Sequence, residues 1–169
     1  MPDAPGNGRP DPVAEAVPRI IAAKQAARSE LLAAVDGLPP ERRQERWFGD
    51  WSLHEIVAHL YEWQNGTAHA LERIARGERP EIPDYNPADG DDPFNALAAE
   101  RNQHLPWEEL LAHLRAAQER HEAAVRNLVG RIPPERFEDG RTARRIADSA
   151  GHDHEHIPPI LQWRREHGI

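Results

Sequence analysis

Apolar residues in this chain recur at steps of three and four, and no segment alternates with period two. That period constrains the fold more than any other feature, because only an α-helix carries every third or fourth side chain to one face. Val13, Val17, Ile20, Ala23, Ala27, Leu31 and Val35 predict a first helix over about residues 12–35. Pro18 falls inside this run, so the helix begins at Pro12 or near Pro18 itself, where the ring is tolerated in a first turn. Gly37, Pro39 and Pro40 end it. Ser52 followed by Glu55 is a capping box, in which hydroxyl and carboxylate each satisfy an orphan backbone N–H. The second helix runs from there to about residue 76, with Gly77 as its C-terminal cap. Its inward stripe is Ile56, Leu60, Trp63, Thr67, Leu71 and Ile74. A third helix over 107–129 follows Pro106, with Leu110, Leu114, Ala117, His121, Val125 and Leu128 facing in. Gly130, Pro133 and Pro134 close it. A fourth begins near Thr142, read as its N-cap, and reaches Trp163. Pro158 and Pro159 each remove a helical N–H and clash one turn back, which predicts a kink or break near Ile157.

Between helices two and three lies a long connection over 78–105, rich in Pro and Asp and ending in the helical stretch FNALAAERNQ. A link of that length is long enough to cross a bundle from end to end, and in a compact domain it is usually functional or disordered. Four amphipathic helices with one long crossover make an all-α four-helix bundle. Residues 1–11, with three Pro and two Gly and almost nothing to bury, read as a disordered tail, and residues 12–169 as one domain.

Composition removes whole classes of chemistry. The net charge of −8 disfavours nucleic acid and anionic membranes as partners. No stretch is apolar and long enough for a transmembrane helix, and the acidic start lacks the pattern of a signal peptide, so a cytoplasmic location is expected. The chain has no Cys, which removes disulfides, thiolate nucleophiles and zinc–cysteine sites. Catalysis would have to use His, carboxylates, hydroxyls or a bound metal.

Ten His is a surplus, and position decides what it means. His54, His69, His104, His113 and His167 fall at helix ends or on polar faces and read as surface residues. His59 shares the buried stripe of helix two, three residues after Ile56 and four before Trp63, as a satisfied core histidine or as a ligand. In the segment His152-Asp153-His154-Glu155-His156, the first and last His are i,i+4, so both rings project from one face and can converge on one ion. His154 lies about 200° around the helix from His152 and cannot join them. The same cluster could instead be an exposed polar patch. Two registers fit this helix, one facing in through Ile146, Ala150 and Ile157, the other through Ile146, Ser149, Asp153, His156 and Ile160. His121 on helix three reads as a core residue. Three neutral imidazoles suit a divalent transition metal and leave a position open.

The segments WSLHEIVAHLYEW (51–63) and HDHEHIPPI (152–160) resemble the DinB-like superfamily. That group includes YfiT-like metal-dependent hydrolases and mycothiol-dependent maleylpyruvate isomerase-like proteins. The first segment and FNALAAERN are also similar to the DfsB-like branch, linked to protection against reactive small molecules. The resemblance implies a metal triad of His59, His152 and His156, with zinc or nickel as the metal. It also implies transfer of a low-molecular-weight thiol to an electrophile, or hydrolysis of an amide-like bond. The thiol must arrive as a cosubstrate. Asp153 and Glu155 could orient ligands or move protons, and Tyr61 and Trp63 could wall a pocket for a small-molecule substrate. The alternative is a non-enzymatic protein that binds a metal or reactive small molecule for protection. A third reading is a structural bundle whose His cluster is incidental. A homodimer through bundle faces is also expected.

Overall fold

Asp11 accepts the Val13 N–H through its side chain at 2.9 Å and opens α1 (Pro12–Val35), with Pro12 in the first turn. The computed structural model describes residues 11–169, so the tail expected over 1–11 lies, apart from Asp11, outside the described residues. A single turn, α2 (Pro40–Arg43), leads into a small hairpin of β1 (Arg46–Phe48) and β2 (Trp51–Ser52). Strands of three and two residues are too short to show a period, which is why the sequence gives no sign of them. The capping box then starts α3 (Leu53–Ala75). Ser52 Oγ accepts the Glu55 N–H, and Glu55 Oε2 accepts the Ser52 N–H at 2.7 Å. Within the long connection stands α4 (Asp92–Asn102), where the sequence places a helical stretch. It is followed by α5 (Trp107–Arg126), α6 (Thr142–Ala147) and α7 (Ala150–His167). Among the described residues, no helix is long and apolar enough to cross a membrane.

The four long helices α1, α3, α5 and α7 form the expected all-α bundle. Cross-helix contacts give its directions. His54 meets the Leu105 carbonyl near the start of α5, and Arg120 meets Asn65 and Glu72 further along, so α3 and α5 run parallel. Lys24 reaches Ser149, Arg28 reaches Asp153 and Arg164 reaches Ala34, so α1 and α7 are parallel as well. A parallel pair of helices, each about 30 Å long at 1.5 Å per residue, cannot be joined by a tight turn. The connection after α3 has to return to the end where that helix began. Its close approach is made at Gly66, where an added Cβ would lie 2.5 Å from Ile82 Cγ2.

The last helix is not broken where a kink or break is expected. α7 continues through Pro158 and Pro159, and a break falls at Asp148 and Ser149, between α6 and α7. The carbonyls left without an N–H partner one turn back belong to His154 and Glu155, both exposed residues on the solvent side of the helix, where such a loss costs least. Pro18 sits in α1 in the same way, opposite the exposed Ala14. Thr142 does not cap α6 but is its first residue, with Arg141 at the N-cap position.

The core divides into two apolar clusters. One joins the start of α1 to the ends of α3 and α5, around Val17, Leu71 and Val125. The other joins the end of α1 to the starts of α3 and α5 and the end of α7, around Leu31, Leu60 and Ile160. Between them lies a buried polar layer of Lys24, Arg28, Gln64, His121 and Asp153. Arg28 organises it. Its Nε and Nη2 donate to the two oxygens of Asp153 at 2.8 and 2.9 Å. Nη1 donates to the Leu114 carbonyl at 3.2 Å, and Nη2 also reaches Gln64 Oε1 at 3.3 Å. One guanidinium on α1 therefore ties together α3, α5 and α7. The α1 stripe is correspondingly rotated from that expected, with Ala23 exposed and Lys24 and Arg28 turned inward.

Removing one partner of a buried ion pair strands the other, a cost of about 3–5 kcal/mol. Arg28→Met is expected to lower unfolding stability by about that amount, measured by urea denaturation. The double variant Arg28→Met, Asp153→Leu is expected to regain only part of the loss, because buried Lys24, 3.7 Å from Asp153, then lacks its counter-charge. A single variant as stable as the parent would contradict this account.

Candidate metal centre

His59 stands on α3 two turns beyond the capping box, and His152 and His156 stand one turn apart on α7. The bundle brings one ring nitrogen of each to within 4.8 Å of the others. His59 Nε2 and His152 Nε2 are 2.6 Å apart. The expected register conflict on α7 resolves around Asp153, Ile157 and Ile160, which face the core, while His152 and His156 sit half-buried at its edge. His154 projects away into solvent near Glu30, at 3.9 Å, and Glu155 is exposed.

The tautomer of His59 follows from its neighbours. The Trp63 indole can only donate, and its Nε1 lies 2.8 Å from Asn95 Oδ1. That Asn95 atom is therefore an acceptor. It also lies 2.9 Å from His59 Nδ1, so Nδ1 carries the proton. His59 Nε2 is left as a bare lone pair aimed at the other two rings, as a ligating histidine requires.

The rings are also held neutral. Burial pushes His59 down to about 4, helped by the nearby His156 and opposed by the Asn95 hydrogen bond. Burial pushes His152 down to about 3, reinforced by His59 and His156. His156 is lowered by burial as well, against the pull of Glu155 and Asp153. Neutral imidazole is the form that binds metal, so these three residues fit a divalent cation as they stand. Aromatic rings close the surroundings. Trp51 stands edge-on to His59 at 5.5 Å, and Phe48 meets His156 at 6.2 Å, both carried by the hairpin. Trp47 stacks on Trp163 of α7 at 4.9 Å, fixing the hairpin against that helix.

Several expectations change. His54 is buried, not a surface residue, because its Nε2 meets the Leu105 carbonyl at 2.9 Å as the chain turns into α5. His121 is a core residue as read, with Nε2 on the Ile146 carbonyl at 3.1 Å. Asp153 is fully buried and both of its oxygens are taken by Arg28. Burial opposes its charge, yet the Arg28 hydrogen bond and the Lys24 and Arg28 charges hold its carboxyl below the usual range. Trp63 does stand beside the cluster, whereas Tyr61 packs against His113 on another face. Asn95 was not foreseen, since nothing in the connection's sequence says which residue of α4 reaches His59. Lys24 and Arg28 could have been read, because they sit at i,i+4 between Ile20 and Leu31 on the apolar stripe.

A sequence model of the DinB superfamily matches residues 24–157. The solved structure of an uncharacterised protein from Escherichia coli UTI89 superposes with a TM-score of 0.69, over 95% of this chain and 96% of that one. At 16% identity that likeness shows the fold alone. No curated protein matches the chain.

Burial that keeps His59, His121 and His152 neutral ties stability to pH. Their folded pKa values, about 4, 4 and 3, lie below the ordinary value of 6.5. Between those limits the unfolded chain binds more protons, so stability is full above about pH 6.5 and falls as pH drops toward 4. Melting of the metal-free protein across this range should show the decline, and His152→Asn, with one titrating ring fewer, should make it shallower. A melting temperature flat from pH 7 to 5 would contradict it.

Proposed function

The chain belongs to the DinB superfamily, and we propose that it binds one divalent transition metal, zinc or nickel, through His59, His152 and His156, and uses it to act on a small molecule. The convergence of three neutral imidazoles within 4.8 Å carries this reading. Bound there, such an ion supplies Lewis acidity and makes an external thiol or water a stronger nucleophile at neutral pH. The reaction class is transfer of a low-molecular-weight thiol to an electrophile, or hydrolysis. The chain has no Cys, so the thiol comes as a cosubstrate.

The protein's own contribution is positioning. Asn95 sets the tautomer and orientation of His59 while Trp63 fixes Asn95. Arg28 locks Asp153 and with it the turn of α7 that carries His152. The hairpin aromatics Phe48 and Trp51 pack edge-on beside His156 and His59. His154 and Glu155 face solvent, and Glu155 acts on the site only through its charge beside His156.

One observation favours binding without turnover as the second reading. Asp153 is the buried carboxylate next to the cluster, and both of its oxygens are engaged by Arg28, so it is not free to shuttle protons. On that reading the pocket captures a metal or reactive small molecule stoichiometrically, as a protection protein would.

Elemental analysis of protein purified without a His tag should find about one equivalent of zinc or nickel. His59→Ala, His152→Ala and His156→Ala should each abolish it. Asn95→Ala should weaken metal affinity by about 10–100-fold, the usual effect of losing a ligand's hydrogen-bond partner. Unchanged metal content in His59→Ala would overturn the triad. Metal-dependent consumption of an electrophile with added thiol favours the enzyme, and a single stoichiometric capture favours the second reading.

A further inference from the structure

Beside the imidazole cluster runs a groove of about 570 Å³, of whose walls the metal reading uses Trp63 alone. Trp63, Thr67 and Ala70 of α3 form one side, and Ile82 and Tyr85 of the connection and Ile146 of α6 form the other. Trp63, Thr67 and Ser149 line both this groove and a smaller chamber of about 50 Å³ next to it. Lys24, Leu60, Gln64, His152 and Asp153 form the rest of the chamber wall. The groove is mostly apolar, while the chamber carries buried polar groups on a largely apolar wall and has room for little more than one water's share of liquid volume, about 30 Å³.

The chamber holds donors without acceptors. Gln64 Nε2 and Ser149 Oγ are buried and find no partner among the described residues. Gln64 as a whole is 3% exposed, and its other amide atom accepts from Arg28. Lys24, 2% exposed, can donate three hydrogen bonds. It makes one, to the Ser149 carbonyl at 3.2 Å, and stands 3.7 Å from Asp153 Oδ1. A native interior rarely leaves such donors unanswered.

The charges around them do not cancel. Lys24 and Arg28 carry two positive charges against the single negative charge of Asp153. Glu122 is turned to Gln25, Gln118 and Arg126. His121 and His152 are neutral. Burial pushes the Lys24 amine down to about 8, which leaves it protonated at neutral pH.

We propose that this groove and chamber bind an elongated small-molecule carboxylate, with its apolar body along the groove and its carboxylate in the chamber against Lys24, Gln64 and Ser149. The proposal gives the substrate class for the metal site above and rests on that reading only in placing the carboxylate beside His152. An anion supplies the acceptors that the two unpartnered groups lack and balances the surplus charge. A ligand without such a group would leave buried donors unpaired, which is how a polar site rejects an analogue of the same shape.

The probe is 4-phenylbutyrate, compared with its uncharged amide 4-phenylbutyramide, titrated calorimetrically into the metal-free full chain. Removing the metal excludes a carboxylate–metal bond as the source of binding. The acid should bind at least about tenfold more tightly than the amide, the effect of one charge-assisted hydrogen bond. Lys24→Met should erase that preference while still taking up a full equivalent of metal, which separates this proposal from the metal reading. Thr67→Phe, which adds bulk at a residue lining both groove and chamber, should weaken the acid about tenfold or more and decides the question if Lys24→Met does not fold. Equal affinity for acid and amide, no binding of either, or unchanged acid affinity in the folded variants would overturn the proposal.

Discussion

The bundle is organised around a single buried guanidinium. Arg28 pairs with Asp153 through two hydrogen bonds, and its remaining donors reach Leu114 and Gln64. Those partners sit on the three other long helices, so the arrangement specifies their relative register as apolar contacts alone would not. Leu and Ile can slide half a turn and still be buried, whereas a fork of N–H groups facing a carboxylate cannot. Such a pair need not raise stability above that of an apolar core of equal volume. Its effect here is positional. Asp153 is held inward, so His152 on one side of it and His156 one turn on are both delivered to the edge of the core that faces His59.

The other half of the site follows from topology. Because α3 and α5 run parallel, the chain must travel back along the bundle between them, and α4 is part of that return. Phe94 of α4 is buried against Trp63 at 4.8 Å, and the next residue, Asn95, accepts from both Trp63 and His59. The connection that the fold requires thus also supplies the brace for the first imidazole. Gly66 lets it lie close to α3, since any Cβ there would collide with Ile82. Ile82 is in turn a wall of the groove beside the cluster.

Much of this was legible in the sequence because helices announce themselves locally. The capping box at Ser52 and Glu55, the apolar stripe of α3 and the i,i+4 spacing of His152 and His156 are all short-range patterns. What stayed hidden depends on contacts distant in sequence. Asn95 meets His59 across 36 positions, and Arg28 meets Asp153 across 125. The prolines of α7 misled for a related reason. Their cost is set by whether the carbonyls they orphan reach water, and that is decided by the exposure of His154 and Glu155 in the assembled bundle. The hairpin is not visible in the sequence because strands of three and two residues carry no period, although it presents Phe48 and Trp51 to the imidazoles.

The choice of brace has an electrostatic consequence. A histidine that binds a metal is commonly backed by a carboxylate, which adds negative charge and raises the basicity of the ring. Here the nearby carboxylate, Asp153, is consumed by Arg28, and the acceptor behind His59 is the neutral amide of Asn95. Three neutral rings with a neutral brace leave the charge of a bound dication undiminished by its ligands. Lys24, close behind His152, adds to it. On the proposed reading, the site therefore favours anionic occupants of the open position, thiolate or carboxylate, over neutral ones. The imidazoles stay neutral chiefly because they are buried: burial outweighs the pull of Asp153 and Glu155 toward imidazolium and sets their pKa values low.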